Sequence, residues 1–169
     1  MSDKKIIILN KKQIQQKIER MAYQILEDNL DEKEIVLAGI VSRGFSLAER
    51  IKQVLEKISP LKIKLIKIEL DKDSSHLQAS SDIPVSEVAH QAVILVDDVL
   101  NSGRTLAYGL GVFLNIPLKK IRTLVLVDRS HRIFPVSPDF TGLALATVLK
   151  QHVQVVLDNP DQEDAVYLS

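Results

Sequence analysis

The sequence lacks cysteine and tryptophan altogether, and it has no long hydrophobic run. Without cysteine the chain has no disulfide, no thiolate zinc site and no thiol nucleophile, a composition typical of a reducing compartment. A bilayer span needs about 18 or more apolar residues, and the N-terminal segment MSDKKIIILNKK is also too short in apolar residues for a signal peptide. We therefore expect a cytoplasmic protein without a membrane partner.

An excess of charge of one sign is also lacking. The 22 Lys and Arg residues balance 22 Asp and Glu residues, so the formal net charge is zero. No global positive field draws the chain to nucleic acid, and any such site has to be local. The length of 169 residues, with 46% hydrophobic and 26% charged residues, predicts a single folded domain over 1–169.

Hydrophobic periodicity predicts strands that alternate with helices. Asn10 and Gln13 are typical of a helix cap, and apolar residues then recur at spacings of three and four up to position 26. Short apolar runs predict strands, and they lie at 35–40, 63–70, 92–96, 121–127 and 153–157. This alternation predicts an α/β fold with a parallel sheet and helices on both faces.

Ligands of open parallel sheets bind beyond the carboxyl ends of the strands. We therefore expect the turns after the strands at 35–40, 92–96, 121–127 and 153–157 to share one edge of the sheet. A polar stretch at 71–90 shows no sustained period, and a connection of that length in a compact domain is usually functional.

The segment VILVDDVLNSGRT at 93–105 carries the most chemistry. An apolar strand leads to Asp97 and Asp98, and a small, polar turn with Gly103 then opens a helix. The backbone N–H groups of such a turn make an anion cradle, to which Ser102 and Thr105 add hydroxyl donors. Carboxylates beside it accept hydrogen bonds from sugar hydroxyls or support Mg²⁺. The combination indicates a ribose 5-phosphate site, and it matches neither a P-loop nor a dinucleotide fingerprint.

VILVDDVLNSGRT resembles the phosphoribosyl pyrophosphate (PRPP) binding motif of the type I phosphoribosyltransferases. The similarity continues through LVDRSHRIFPVSPDFTG and extends more faintly to GIVSRGFSLAER. Within the family, the sequence is similar to bifunctional members that regulate pyrimidine operons by attenuation and have uracil phosphoribosyltransferase activity. The resemblance implies the family fold with a small hood, Mg²⁺ as cofactor, PRPP and a nucleobase as ligands, and homo-oligomers.

The resemblance also implies roles for individual residues. Asp97 and Asp98 hold the ribose hydroxyls and, with Arg43, form the catalytic set. The 5-phosphate is held by the turn of Asn101, Ser102, Gly103, Arg104 and Thr105. The pyrophosphate loop comprises Ser42, Arg43 and Gly44. Asp158 supports the metal, and the mobile loop near 71–90 carries Lys72 in place of an arginine.

Two positions bear on the choice of base. Asn101 stands where 6-oxopurine enzymes have an aspartate that acts as a base, and an amide takes up no proton at neutral pH. Asp128 stands where those enzymes keep a lysine, and a pair like Asp128 and Arg129 is found in pyrimidine-type relatives. The sequence thus favours uracil over purines.

A second hypothesis remains open: an RNA-binding regulator of pyrimidine genes that senses nucleotides with weak or no catalysis. The zero net charge gives it no electrostatic support. The basic group of Lys119, Lys120 and Arg122 is short and has no interleaved aromatic residue, so a solvated face is an equally good interpretation.

Overall fold

A computed structural model describes residues 4–71, 78–148 and 150–169 of the chain. Three helices and nine strands are formed by these residues, with a short 3-10 turn at Val85–Val88. In chain order they are β1 (Ile6–Leu9), α1 (Lys11–Asp28), β2 (Glu34–Ile40), α2 (Arg43–Ile58), β3 (Lys62–Asp71), β4 (Gln78–Ser81), β5 (Ala92–Leu100), α3 (Arg104–Gly111), β6 (Lys120–Asp128), β7 (Phe140–Ala144), β8 (Val153–Val156) and β9 (Ala165–Leu168).

The main sheet has six strands in the order β4-β3-β2-β5-β6-β7. Five of them run parallel, and β4 pairs antiparallel with β3 at one edge. Strands β1, β9 and β8 form a separate antiparallel sheet, which corresponds to the expected hood. The predicted α/β fold with a mostly parallel sheet is confirmed.

Helices cover both faces of the main sheet. Helices α1 and α2 pack on one face, where Ile18 and Ile51 meet strand residues such as Ile94. Helix α3 packs on the other face, where Leu106 meets Val93. Burial on both faces explains why the central strands are continuous apolar runs and not alternating ones.

Two polar contacts fix α1 at its start and against the sheet. Asn10 Oδ1 accepts a hydrogen bond from Gln13 N at 2.9 Å, and Gln13 Oε1 accepts one from Asn10 N at 2.9 Å, which confirms the predicted cap. Further along, Arg20 Nη2 donates to the carbonyl oxygens of Thr141 at 3.1 Å and Gly142 at 2.7 Å, on the edge strand β7. None of the described helices is long and apolar enough to cross a membrane.

Two expectations about the bounds of elements differ from the structure. Strand β5 extends beyond 96 to Leu100, so Asp97 and Asp98 lie within the strand, because its ladder with β6 continues past them. The expectation of no regular structure across 71–90 is wrong, because this range contains β4 and the 3-10 turn. Strand β4 pairs with β3 through backbone hydrogen bonds, which do not depend on an apolar side-chain pattern. The mobility of this segment stays a prediction, and Lys72 lies outside the described residues.

The sheet to which the strand at 153–157 belongs also differs from the expectation. The run at 153–157 forms β8 of the smaller antiparallel sheet and is not a strand of the parallel sheet. The turn that follows it nevertheless lies beside the turn after β2, because Ser42 and Arg43 line one concavity with residues of 154–162. A short apolar run packs equally well in either sheet, and its pattern does not name its partner.

Candidate active site

The acidic pair lies on the central strand β5. Asp97 is buried, and its Oδ1 accepts a hydrogen bond from the backbone N of Asp98 at 2.8 Å. Asp98 is half-buried, and its Oδ2 accepts one from Arg43 Nε at 2.9 Å. Since β2 and β5 are parallel neighbours, the turn after β2 brings Arg43 to Asp98. The structure thus joins the predicted pyrophosphate loop to the predicted ribose site.

Burial raises the pKa of Asp97 well above its ordinary range. The negative charge of Asp98 raises it further, whereas the backbone N–H of Asp98 and the cation of Arg43 act in the opposite direction. Desolvation disfavours the charged carboxylate, and a like charge next to it adds to that cost. Asp97 therefore keeps its proton to a higher pH than a solvated aspartate does.

Close backbone contact fixes the start of α2 against β5. A Cβ on Gly44 would lie 2.6 Å from the carbonyl oxygen of Val96 and 3.0 Å from the Cα of Asp97. Only glycine fits there without a shift of one of the two elements. Ser42 and Arg43 are exposed just before this contact, and the peptide between Val41 and Ser42 is cis.

The predicted phosphate turn connects β5 to α3. Gly103 has a φ of +88°, a left-handed conformation that favours glycine, and it precedes the first residue of α3. Ser102 Oγ accepts a hydrogen bond from the backbone N of Arg104 at 3.3 Å. Residues from Asn101 to Leu106, together with Asp97, line one small cavity. This turn and the acidic pair therefore share a site.

The loop after β6 packs against the phosphate turn. The backbone N atoms of Ile133 and Phe134 both donate to the carbonyl oxygen of Ser102, at 2.8 and 2.9 Å. A Cβ on Gly103 would lie 3.2 Å from the carbonyl oxygen of Phe134. The predicted base-binding loop and the phosphate turn are thus one packed unit.

Asp128 and Arg129 are both buried at the end of β6. Asp128 accepts hydrogen bonds from Ser130 N at 2.9 Å and from Arg132 Nη2 at 2.5 Å. Arg129 Nη1 donates to Asn101 Oδ1 at 2.9 Å, and its other nitrogens are bound by the segment after β7. The structure therefore brings Arg129 to the phosphate turn, while its contact with a base stays a prediction.

Asp158 lies at the end of the smaller sheet and pairs with Arg50. Arg50 Nη2 lies 2.5 Å from Asp158 Oδ1 and 2.6 Å from Asp164 Oδ2. Nothing in this contact engages the acidic pair of β5. Two concavities lie nearby, and both are lined by Arg50 and Asp164 together with residues of α1.

Several residues of the site carried no signal in the sequence. Thr147, Val148 and Gln151 bind Arg129, and Thr147 Oγ1 also lies 3.3 Å from His131 Nε2. These contacts join residues 16 to 22 positions apart through backbone oxygens or a hydroxyl, which no spacing rule anticipates.

The fold and this site together define a class of protein. The sequence profile of the phosphoribosyl transferase domain matches residues 7–159. The chain therefore belongs to the phosphoribosyltransferase family, as the resemblance of VILVDDVLNSGRT implied.

Two individual relatives are similar to this chain in sequence. The chain is 35% identical over 175 residues to the Bifunctional protein PyrR of Bacillus subtilis (strain 168), with 97% of this chain and 96% of the relative covered. It is 36% identical over 171 residues to the protein of the same name from Synechocystis sp., with 96% of each covered. The similarity spans nearly the whole chain.

Solved structures show the same fold at lower identity. The hypoxanthine phosphoribosyltransferase of Trypanosoma cruzi superposes with a TM-score of 0.75 at 18% identity, covering 95% of this chain and 94% of that one. A hypoxanthine-guanine phosphoribosyltransferase from Bacillus anthracis gives a TM-score of 0.72 at 21% identity, covering 83% and 82%.

Proposed function

We propose that this chain transfers the ribose 5-phosphate of PRPP to uracil, giving UMP and pyrophosphate. One observation carries the proposal: Arg43, the Asp97–Asp98 pair and the phosphate turn meet at the carboxyl ends of β2 and β5. This is the position at which open α/β sheets bind ligands.

The arrangement positions the two ends of PRPP separately. The turn from Asn101 to Thr105 would receive the 5-phosphate on its backbone N–H groups, and Arg43 at the start of α2 would receive the pyrophosphate. Asp98 and the raised-pKa carboxyl of Asp97 lie between them, where the ribose hydroxyls would bind. Fixing both ends holds the anomeric carbon in place for attack by the base.

The donor set fits a magnesium ion held largely by the substrate. In the part of the chain that the structure describes, no three His, Asp or Glu side chains converge as a protein-only metal site. Mg²⁺ typically uses one or two carboxylates with substrate phosphates and waters, and Asp98 and Asp97 supply such carboxylates. When bound, Mg²⁺ would neutralise charge on the departing pyrophosphate. Asp158 would have to break its ion pair with Arg50 before it could support the metal.

Two variants test the assignment. We expect Asp97→Asn and Asp98→Asn each to lower the rate of UMP formation by about 100-fold or more, since both remove groups held against the ribose and leaving group. Mass spectrometry of mixtures with PRPP, Mg²⁺ and each nucleobase measures the product. Asp161→Asn, an exposed substitution on the turn between β8 and β9, is the control. A purine nucleotide as product, or full activity in both variants, would overturn the proposal.

The similarity to relatives named Bifunctional protein PyrR favours a second candidate function. The chain would bind the leader RNA of pyrimidine genes and use the same ligand site as a sensor. A gel shift with that RNA, with and without uridine nucleotides, tests it. Salt-sensitive binding that responds to the nucleotide supports it, and no binding under either condition rejects it.

The resemblance also supports self-association, the Lys72 loop and a cytoplasmic location as parts of the proposal. Light scattering on the purified chain measures its mass against the 18.9 kDa of one copy. Substitution of Lys72 by Ala is expected to slow turnover while PRPP still binds, because the loop would act when the site closes.

A further inference from the structure

Arg129 is a buried cation without a carboxylate partner among the described residues. It is only 7% exposed, and no Asp or Glu oxygen of the described residues lies within 4 Å of its guanidinium nitrogens. Its nitrogens are held by Asn101, Thr147 and two backbone carbonyls instead. The guanidinium places a positive charge directly beside Asn101.

This contact determines which way the Asn101 amide points. A guanidinium only donates hydrogen bonds, so the oxygen of the amide, and not its nitrogen, has to face Arg129 Nη1 at 2.9 Å. The NH₂ group of Asn101 therefore faces away from Arg129. Asn101 is exposed, and it is the first residue of the phosphate turn. Asn101 presents N–H donors, backed by a buried cation, to whatever binds beside that turn.

Such a donor suits a base that becomes negative during reaction. When uracil forms its bond to ribose, N1 attacks the anomeric carbon, the bond from that carbon to the pyrophosphate oxygen breaks, and the N1 proton passes to water. Part of the negative charge of N1 spreads onto the adjacent carbonyl oxygen O2. An N–H donor near a positive charge stabilises that oxygen, whereas a carboxylate at the same place would repel it.

We propose that Asn101 is a specificity-determining residue that donates a hydrogen bond to the carbonyl oxygen next to the reacting nitrogen of the base. Arg129 is its positioning residue, because it fixes the orientation of the amide. The substrate class that follows is a 2-oxopyrimidine and not a base that needs a proton acceptor at this position. The inference rests on the proposed phosphoribosyl transfer to uracil.

Thio-substituted bases test the contact directly. Uracil, 2-thiouracil and 4-thiouracil are compared in the unaltered chain and in Asn101→Ala, with kcat/KM measured for each. Loss of one hydrogen bond to a charged group corresponds to about 10- to 100-fold in kcat/KM. We expect that loss for uracil in Asn101→Ala and for 2-thiouracil in the unaltered chain, because sulfur is the weaker acceptor. Asn101→Ala acting on 2-thiouracil is expected to lower kcat/KM no further than either change does alone. The kcat/KM for 4-thiouracil is expected to equal that for uracil.

Arg129→Lys tests the positioning role. Lysine keeps the charge but cannot span the same four acceptors, so the KM for uracil is expected to rise about 10-fold while the affinity for PRPP alone stays unchanged. A melting curve shows whether the variant folds. If it does not, the thio-base comparison still decides, since Asn101 is exposed and its truncation removes only one of the four acceptors of Arg129.

Asn115→Ala is the matched control, an exposed asparagine just beyond α3. It is expected to leave all three kcat/KM values unchanged. If UMP forms, and kcat/KM falls by the same factor from uracil to 2-thiouracil in Asn101→Ala as in the unaltered chain, the inference about Asn101 is overturned while the proposed function stands. Absence of UMP formation by the unaltered chain would instead overturn the proposed function on which it rests.

Discussion

At the residue scale, the raised pKa of Asp97 connects the site to stability. Because burial and Asp98 raise it, the folded chain binds this proton more tightly than the unfolded chain. Stability is therefore fully present below the unfolded pKa and is lost as pH rises through the interval up to the folded pKa.

Asp97→Asn removes this pH-dependent loss. The variant is expected to have a higher free energy of unfolding than the unaltered chain at about pH 8, with the difference shrinking toward about pH 4. Urea titrations at both pH values measure it. Asp161→Asn, on an exposed carboxylate, is expected to show no such difference. A less stable Asp97→Asn at the higher pH would show that the carboxylate is favoured in the fold.

Glycine positions give a second prediction at this scale. Gly44→Ala places a Cβ 2.6 Å from a backbone oxygen of β5, and overpacking of that kind costs about 1–3 kcal/mol. Gly111→Ala is the matched control, because its Cβ would meet nothing within 4 Å, and in a helix it is expected to stabilise by about 0.5 kcal/mol. Chemical denaturation of both variants measures the difference. Equal stability of the two would contradict the close contact.

At the scale of elements, a strand can be predicted from the sequence when its side chains are buried and apolar. Strands β2, β5 and β6 are apolar on both faces, and each was predicted within a few residues of its observed bounds. Strand β4 (Gln78–Ser81) has Ala79 as its only apolar residue and pairs with β3, so no side-chain pattern indicates it. For β8 the strand itself was predicted, but its sheet was not, because apolar runs do not specify the partner.

The cap of α1 gives a prediction for an element. Asn10→Ala removes the side-chain oxygen that accepts the hydrogen bond from Gln13 N, and such a loss costs about 1 kcal/mol. Thermal or urea denaturation measures the effect. The comparison variant is Gln16→Ala, on the exposed surface of the same helix, where alanine is expected to be neutral or slightly stabilising. A loss in Gln16→Ala as large as that in Asn10→Ala would reject the role of the cap.

At the scale of the whole molecule, the candidate site follows from strand order. Arg43 and Asp98 meet because β2 and β5 are neighbours, and a motif on each predicted strand was enough to anticipate that. The contact of Arg129 with Asn101, by contrast, was not predicted. The direction of a side chain depends on packing in three dimensions, which the sequence does not display.

The ion pairs of Arg50 connect α2 to the turn between β8 and β9. Arg50→Gln leaves the buried carboxylate of Asp164 without its cation, which costs about 1–3 kcal/mol. Urea denaturation measures the loss. Arg50→Lys is the comparison, and it is expected to recover part of the stability because it keeps the charge but not the fork. Unchanged stability in Arg50→Gln would show that the pair contributes nothing to the union of the two sheets.

The contact of Arg20 with β7 has a consequence for aggregation. An edge strand normally presents unpaired carbonyl groups that can recruit a strand of another molecule. Here a guanidinium on α1 donates to the carbonyl oxygens of Thr141 and Gly142, so two carbonyl groups of this edge strand already have a donor. Loss of Arg20 would leave both carbonyl oxygens free to accept hydrogen bonds from a strand of another molecule.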